Sequence, residues 1–258
     1  MPRRAPNASH RVTIQGIDVA PLTVAGLLDR IAALIHSNRR ATVAYVNVHV
    51  LNEAARHPDL TAFLAGADVC YADGNGVVLA ARLLGQALPG RMTGADWIHD
   101  LAARAATDGW RLGWIGGAPG VTQAAAGVLE AAHPGVQFVW LEHGFHEKSG
   151  PANDAVLQSL AEARPDVLLV GMGTPTQERW VAENRDRMEC PVVWCVGATA
   201  DFVSGTVNRG PRVLYENQEW LARLLVDPKR LWRRFLVGNP RFFARVLRTR
   251  LRESLTRP

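Results

Sequence analysis

Apolar positions along the chain switch repeatedly between a helical rhythm and short unbroken runs. Over residues 22–37 they fall at Val24, Leu27, Leu28, Ile31, Leu34 and Ile35, a spacing that gathers them on one face of a helix. Residues 41–46 form a β-branched run, and the helical rhythm returns over 48–56. The alternation then predicts a strand over 69–72, helices over about 77–84 and 95–106, and a strand over 110–115. A helix over 121–132, with Pro119 as an earlier candidate start, a strand over 136–141, a helix over 153–163 and a strand over 167–170 follow. A helix opens at Pro175 and the last strand covers 192–196, while residues up to about Ile17 read as a loose arm with a short strand.

Strands separated by helices at this spacing pair in parallel through right-handed crossovers. Their nearly continuous apolar character means that helices cover both faces of the sheet. The expected fold is therefore α/β, Rossmann-like, with a mostly parallel sheet. Ligands of such sheets bind at the carboxyl ends of the strands. That rule marks Asn47, Asp73 and Asn75, Gly116 and Gly117, the 142–146 loop with Phe145, Thr174 and Gln177, and the segment ending at Asp201.

Composition changes near Arg209. From there to Pro258 the chain carries 13 basic and 4 acidic residues, whereas the first 208 residues carry 16 basic and 20 acidic ones. This divides the chain into an α/β domain, 1–208, and a basic amphipathic appendage, 209–258, suited to a polyanionic partner. In the appendage Phe242, Phe243, Val246, Leu247 and Leu251 fall at helical spacing, with Leu231, Trp232, Phe235 and Leu236 upstream. Arginines 233, 234, 241, 245, 248, 250 and 252 surround these stripes, the pattern of a helix lying on an anionic lipid surface. No apolar run is long enough to span a bilayer, and no secretory leader is read at the N-terminus. The three cysteines, Cys70, Cys190 and Cys195, lack a C-x-x-C pair, and reduced thiols in the cytoplasm are expected.

Each motif has a purely structural reading beside its chemical one. Gly116-Gly-Ala-Pro-Gly120 is a tight strand-to-helix turn or a cradle where backbone N–H groups meet a diphosphate. Thr174-Pro-Thr-Gln177 reads as a capping box, with Thr174 as N-cap and Gln177 at N3, and also as a substrate-facing loop. Asp73, before Gly-Asn-Gly, is a turn residue or a general base carried to a glycine-flanked lip. His143-Gly-Phe-His146 matches no zinc spacing, and the chain has no D-x-D triplet, so neither metal nor cofactor is expected.

Taken together and in order, these segments resemble the WecG/TagA/CpsF family of bacterial glycosyltransferases. The matching stretches are Tyr71-Ala-Asp-Gly-Asn-Gly-Val-Val, Leu88-Pro-Gly-Arg-Met-Thr-Gly-Ala-Asp96, Gly116-Gly-Ala-Pro-Gly and Val170-Gly-Met-Gly-Thr-Pro-Thr-Gln-Glu-Arg-Trp180. They continue with Val196-Gly-Ala-Thr-Ala-Asp-Phe-Val-Ser-Gly205, Arg209-Gly-Pro, Glu219-Trp-Leu-Ala-Arg-Leu and Asp227-Pro-Lys-Arg-Leu-Trp-Arg-Arg-Phe-Leu-Val-Gly-Asn239. The resemblance implies an inverting, metal-independent transfer of an N-acetylmannosamine-type sugar or uronic acid. The donor is a UDP-sugar and the acceptor an undecaprenyl-diphosphate-linked saccharide, at the inner face of the cytoplasmic membrane. It places the base on Asp73, a polar partner on Asn47 and an active-site glutamine on Gln177. A threonine of the family falls on Tyr45, which is a departure. Substrate contacts are expected from Gly116, Gly117, Asn75, Thr174, Phe145 and Asp201, and from appendage arginines among Arg209, Arg212, Arg233 and Arg234. Self-association is left open.

Two rivals come from other classes. A nicotinamide-dependent oxidoreductase would use Glu142, after the strand that follows the glycine turn, to hold a ribose, but the chain lacks G-x-G-x-x-G. A nucleic-acid module would use the arginine-rich tail, but the apolar stripe there suits a bilayer better than exposed stacking platforms, and no nucleic acid is expected.

Overall fold

The computed structural model describes residues 11–37, 39–207, 220–221 and 224–256. A two-stranded antiparallel hairpin, β1 (Val12–Ile14) and β2 (Ile17–Val19), opens the described chain. It is followed by α1 (Val24–Ile35), β3 (Ala41–Val46), α2 (Val48–Ala54), α3 (Pro58–Gly66), β4 (Val69–Ala72), α4 (Asn75–Leu83) and α5 (Gly94–Asp108). Then come β5 (Arg111–Gly116), α6 (Val121–Ala132), β6 (Gln137–Glu142), α7 (Gly150–Ala163), β7 (Val167–Gly171), α8 (Thr176–Asn184), β8 (Val192–Cys195) and α9 (Thr199–Val203). The C-terminal part holds a short helix, Pro228–Trp232, a π-helical turn, Arg233–Val237, and a terminal helix, Gly238–Thr256.

The main sheet has six strands in the order β4-β3-β8-β7-β5-β6, all paired in parallel. Side chains alternate between its faces. On one face α1, α5 and α6 cover Val43, Tyr71, Trp114 and Trp194. On the other, α2, α3, α4 and the terminal helix cover one half, and α7 and α8 the other. The expected α/β architecture is thus the observed one. Trp97 stacks on Trp194 at 4.2 Å between ring centroids, an arrangement worth about 0.5–1.5 kcal/mol beyond its burial. All three cysteines are buried and free, and burial pushes the Cys70 thiol up to about 12.

The connections place a crevice. After β3 the chain enters α2 on one face, and after β8 it enters α9, whose Ala200 joins the core of the opposite face. Adjacent strands whose chains leave in opposite directions open a gap at their carboxyl ends. The helix after the glycine turn spans Val121–Ala132 as its apolar run is read, and does not begin at the earlier Pro119, because Gly120 takes a left-handed conformation that ends the turn (φ 86°). The terminal helix seats Phe242 and Val246 in the core beside α2 and α4, and leaves Leu247, Leu251 and Leu255 outward. Among the described residues no helix is long and apolar enough to cross a membrane.

Candidate active site

The register of two strands fixes the centre of the site. Val46 of β3 pairs with Ala72 of β4, so Asn47 and Asp73 leave the sheet side by side. The Asp73 N–H donates to Val46 O at 2.8 Å, which carries the ladder one residue further. Asn47 is the N-cap of α2, and its Oδ1 accepts from the Val50 N–H at 3.0 Å. With that oxygen engaged, the amide Nδ2 faces Asp73 and donates to Oδ2 at 2.9 Å. Asn75 opens α4 and is exposed two residues beyond the carboxylate.

Asp73 stands where two cavities meet. The first, about 270 Å³, is floored by Tyr45 and Tyr71 and walled by Thr93, Thr174, the 196–199 segment after β8 and Phe202. The second, about 370 Å³, runs along α4 to the C-terminal part of the chain. Its walls are apolar (Val78, Leu79, Phe235, Phe243, Trp220), with Arg82 and Arg91 among them. Asn47, His49, Asp73 and Arg234 line both. Arg91 pairs with Asp96 at 3.0 Å. Tyr45, the departure from the family pattern, is pressed so close to Gly197 that a Cβ there would lie 2.6 Å from the phenol oxygen. Burial raises the Tyr45 pKa, and the charges of Glu178 and Asp73 add to the effect, so the hydroxyl stays protonated.

The expected capping box does not form. Pro175, not Thr174, is the residue before α8, and it makes no side-chain cap. Glu178 takes both donors instead: Thr174 Oγ1 at 2.8 Å and Gln177 Nε2 at 2.8 Å. Gln177 Oε1 accepts the Gly197 N–H at 3.1 Å. Gln177 is fully buried and lies beneath the cavity, where it ties the turn after β7 to the turn after β8. Glu178 is buried too, and burial raises its pKa above the ordinary range.

A neighbouring corner gathers Gly116, Gly117, Phe145 and Asp201. Gly117 (φ 61°) lies against Asp201, with 3.5 Å between a Cβ built there and Oδ1. The Gly144 N–H donates to Gly117 O at 2.9 Å, which sets the loop carrying the exposed Phe145 against this turn. The Gly117 N–H itself donates to Gly171 O at 3.3 Å. It is spent inside the fold, so the turn provides close approach rather than the expected donor at that position. None of these four residues lines the first cavity, although Phe202, next to Asp201, does.

The arginines diverge. Arg234 enters the junction of the cavities, whereas Arg233 is exposed and lies over the Trp232 ring at 5.2 Å. Arg209 and Arg212 lie outside the described residues. In the histidine loop, His143 Nδ1 accepts from the Phe145 N–H at 3.2 Å, and His146 packs edge-on against Trp180. The walls contributed by Tyr71, His49, Arg82, Arg91 and Trp220 escaped the sequence reading, as did the role of Glu178. Tyr71, Arg91, Glu178 and Trp220 stand inside matched segments, and that was the only signal for them.

The family model described as "Glycosyl transferase WecG/TagA/CpsF family" matches residues 12–256. The chain is 26% identical over 243 residues to proteins of Staphylococcus aureus strains NCTC 8325 / PS 47 and COL. Each is named N-acetylglucosaminyldiphosphoundecaprenol N-acetyl-beta-D-mannosaminyltransferase, and the match covers 93% of this chain and 93% of each of them. The protein of the same name from strain MRSA252 is also 26% identical over 243 residues.

Proposed function

Because this chain belongs to the WecG/TagA/CpsF glycosyl transferase family, we propose that it moves a sugar from a UDP-sugar to a polyprenyl-diphosphate-linked saccharide, with inversion and without a metal ion. The sugar is of the N-acetylmannosamine type, as the names of the Staphylococcus aureus relatives favour, or a uronic acid. The observation that carries the reading is a carboxylate, Asp73, oriented by Asn47 at the meeting point of a polar and an apolar cavity. The polar cavity takes the donor sugar, and the apolar one takes the acceptor with the start of its lipid.

In this mechanism Asp73 removes the proton of the acceptor hydroxyl as that oxygen attacks the anomeric carbon from the side opposite UDP. One C–O bond forms, the bond to the diphosphate breaks, and the departing UDP carries away the electron pair. Arg234, at the junction, stabilises the charge that grows on the diphosphate. Gln177 and Glu178 act as positioning residues, holding Gly197 and Thr174 against the donor cavity. Asp201, Gly116, Gly117 and Phe145 form the corner that receives the nucleotide.

The reaction takes place at an anionic membrane surface. Trp232, Leu236, Leu247, Leu251 and Leu255 are exposed on the C-terminal helices, and that face supports docking of the 209–258 appendage. The oxidoreductase alternative is not favoured: Glu142 Oε1 accepts the His143 N–H at 2.8 Å, which engages the acid in its own loop. Mass spectrometry of products from a panel of UDP-sugars incubated with a short-chain polyprenyl-diphosphate saccharide tests the proposal. A product one sugar heavier supports it; saturable nicotinamide cofactor binding with no transfer overturns it.

A further inference from the structure

Two leucines of α4 face outward from the α/β part of the chain: Leu79 is 47% exposed and Leu83 37%. They stand four residues apart and so share one face of the helix. The core contacts of α4 come from Val77, Val78, Ala80 and Ala81 instead. The segment from Asn75 to Arg91 contains Arg82 and Arg91 and no acidic residue, and Arg82 is exposed beside Leu83.

This face continues onto the terminal helix. Leu79 and Phe243 line the apolar cavity together. Further along, a Cβ built at Gly85 would lie 3.4 Å from an Arg250 guanidinium nitrogen. The two helices therefore run side by side in the same direction. Leu83, four residues past Leu79, stands level with Leu247, four residues past Phe243, because the rise per residue is the same in both. Leu247 and Leu251 are exposed in their turn. The result is an apolar strip two helices wide, edged by arginines, which is the composition that suits the interface of an anionic bilayer.

We propose that α4 is itself a membrane-contacting element: Leu79 and Leu83 enter an anionic bilayer beside Leu247 and Leu251, with Arg82 and Arg250 at the lipid phosphates. A single amphipathic helix leaves the body above it free to roll about the helix axis. Contact through two helices from distant parts of the chain removes that freedom and fixes the tilt of the sheet over the membrane. The cavity walled by Leu79 and Phe243 then opens sideways into the lipid, so a ligand reaches it without crossing water. That this ligand is the lipid-linked acceptor rests on the proposed function; the contact of α4 with the bilayer does not.

The test labels the full chain at Leu83→Cys with an environment-sensitive, thiol-reactive fluorophore; the three native cysteines are buried and escape the label. Val128→Cys, exposed on α6 across the sheet, serves as the reference position. Each labelled protein is sedimented with phosphatidylcholine vesicles, with and without phosphatidylglycerol, and its emission is read with and without iodide. On phosphatidylglycerol vesicles the label at 83 should shift to the blue and lose access to iodide, while the label at 128 changes in neither respect. In the unlabelled chain Leu83→Glu should weaken retention on those vesicles by about fivefold, with an unchanged thermal midpoint. A label at 83 that stays open to iodide on the vesicles overturns the proposal and leaves docking by the appendage standing, as does wild-type retention of Leu83→Glu. Failure of the labelled protein and the wild type alike to sediment overturns both. A label at 83 already shielded without vesicles, in a protein that self-associates, means that a second copy covers α4, and overturns the proposal as well.

Discussion

Asn47 donates its amide N–H to Asp73 Oδ2 at 2.9 Å, across the boundary between two adjacent parallel strands. The same amide caps α2 through its oxygen, so one side chain both starts a helix and aims the carboxylate proposed as the base. Local stability and site geometry therefore depend on a single residue type, and substitutions can separate the two.

Replacing Asp73 with Asn keeps shape and removes basicity. Turnover is expected to fall by about 10²–10⁴-fold, the usual contribution of general base catalysis. UDP-sugar affinity should stay within about tenfold, because the loss concerns the transition state rather than ground-state binding. Steady-state kinetics with calorimetric titration checks both; a variant that keeps most of its turnover would make Asp73 a turn residue.

Asn47→Asp preserves the cap, since aspartate ranks with asparagine at that position. It also sets a second carboxylate beside Asp73, and like charges raise the pKa of the pair. The melting temperature should change little, while the acidic limb of the pH–rate profile moves to higher pH. Asn47→Ala should instead cost about 1 kcal/mol of stability through the lost cap. An unmoved acidic limb in Asn47→Asp would mean that Asp73 is not the titrating base.

Glu178 gives a prediction with a defined sign. Its folded pKa is raised above the ordinary 4.5 by burial, so folding favours the protonated form. That contribution is complete below the unfolded pKa and is lost as pH rises through the folded one. Glu178→Gln should therefore gain stability relative to wild type between about pH 4 and neutrality, as read by denaturant unfolding across that range. Glu178→Ala strands the Gln177 and Thr174 donors, at about 1–3 kcal/mol for each buried group left unpaired, and should lower turnover more than UDP-sugar affinity. A stability difference that is flat with pH would contradict the raised pKa.

The terminal helix has two faces with separate consequences. Phe242→Ala, at a fully buried position, should cost about 3–5 kcal/mol of stability. Leu247→Glu with Leu251→Glu touches only exposed positions; it should leave stability nearly unchanged and release the protein from anionic vesicles. Retention of the double glutamate variant on such vesicles would place the membrane contact elsewhere.

Removal of divalent ions by EDTA should leave transfer intact, because Arg234 faces the junction where the diphosphate charge develops. A strict need for Mg²⁺ or Mn²⁺ would reverse this and return attention to His143 and His146.

Strands β3, β4, β5, β7 and β8 were legible because helices on both faces leave them as unbroken apolar runs. The hairpin was half seen, its strands being three residues each, and α3 was missed although Pro58 stands at its first turn. In the site, the strand-end rule reached Asn47, Asp73 and Thr174, since each directly follows a strand or its turn. It could not see that Gln177 points inward, because the competing acceptor, Glu178, is defined only by tertiary burial. Nor could it place Phe235 and Phe243 opposite Leu79: those walls meet across a sequence separation that no local pattern records.

The π-helical turn at Arg233–Val237 interrupts a helical run that otherwise extends from Pro228 to Thr256. Such a turn accommodates one residue more than an α-helix would, and each residue corresponds to about 100° of rotation. Downstream, Phe242 is rooted in the core; upstream, Phe235 leans on Trp220 and Arg234 reaches the cavity junction. Deleting Leu236 or Val237 from the turn would leave the anchored half in place and rotate the half that carries Arg234 by that angle. Arg234 would then swing away from the junction with its chemistry untouched, so the cation at the site is governed by a residue count as much as by a residue type.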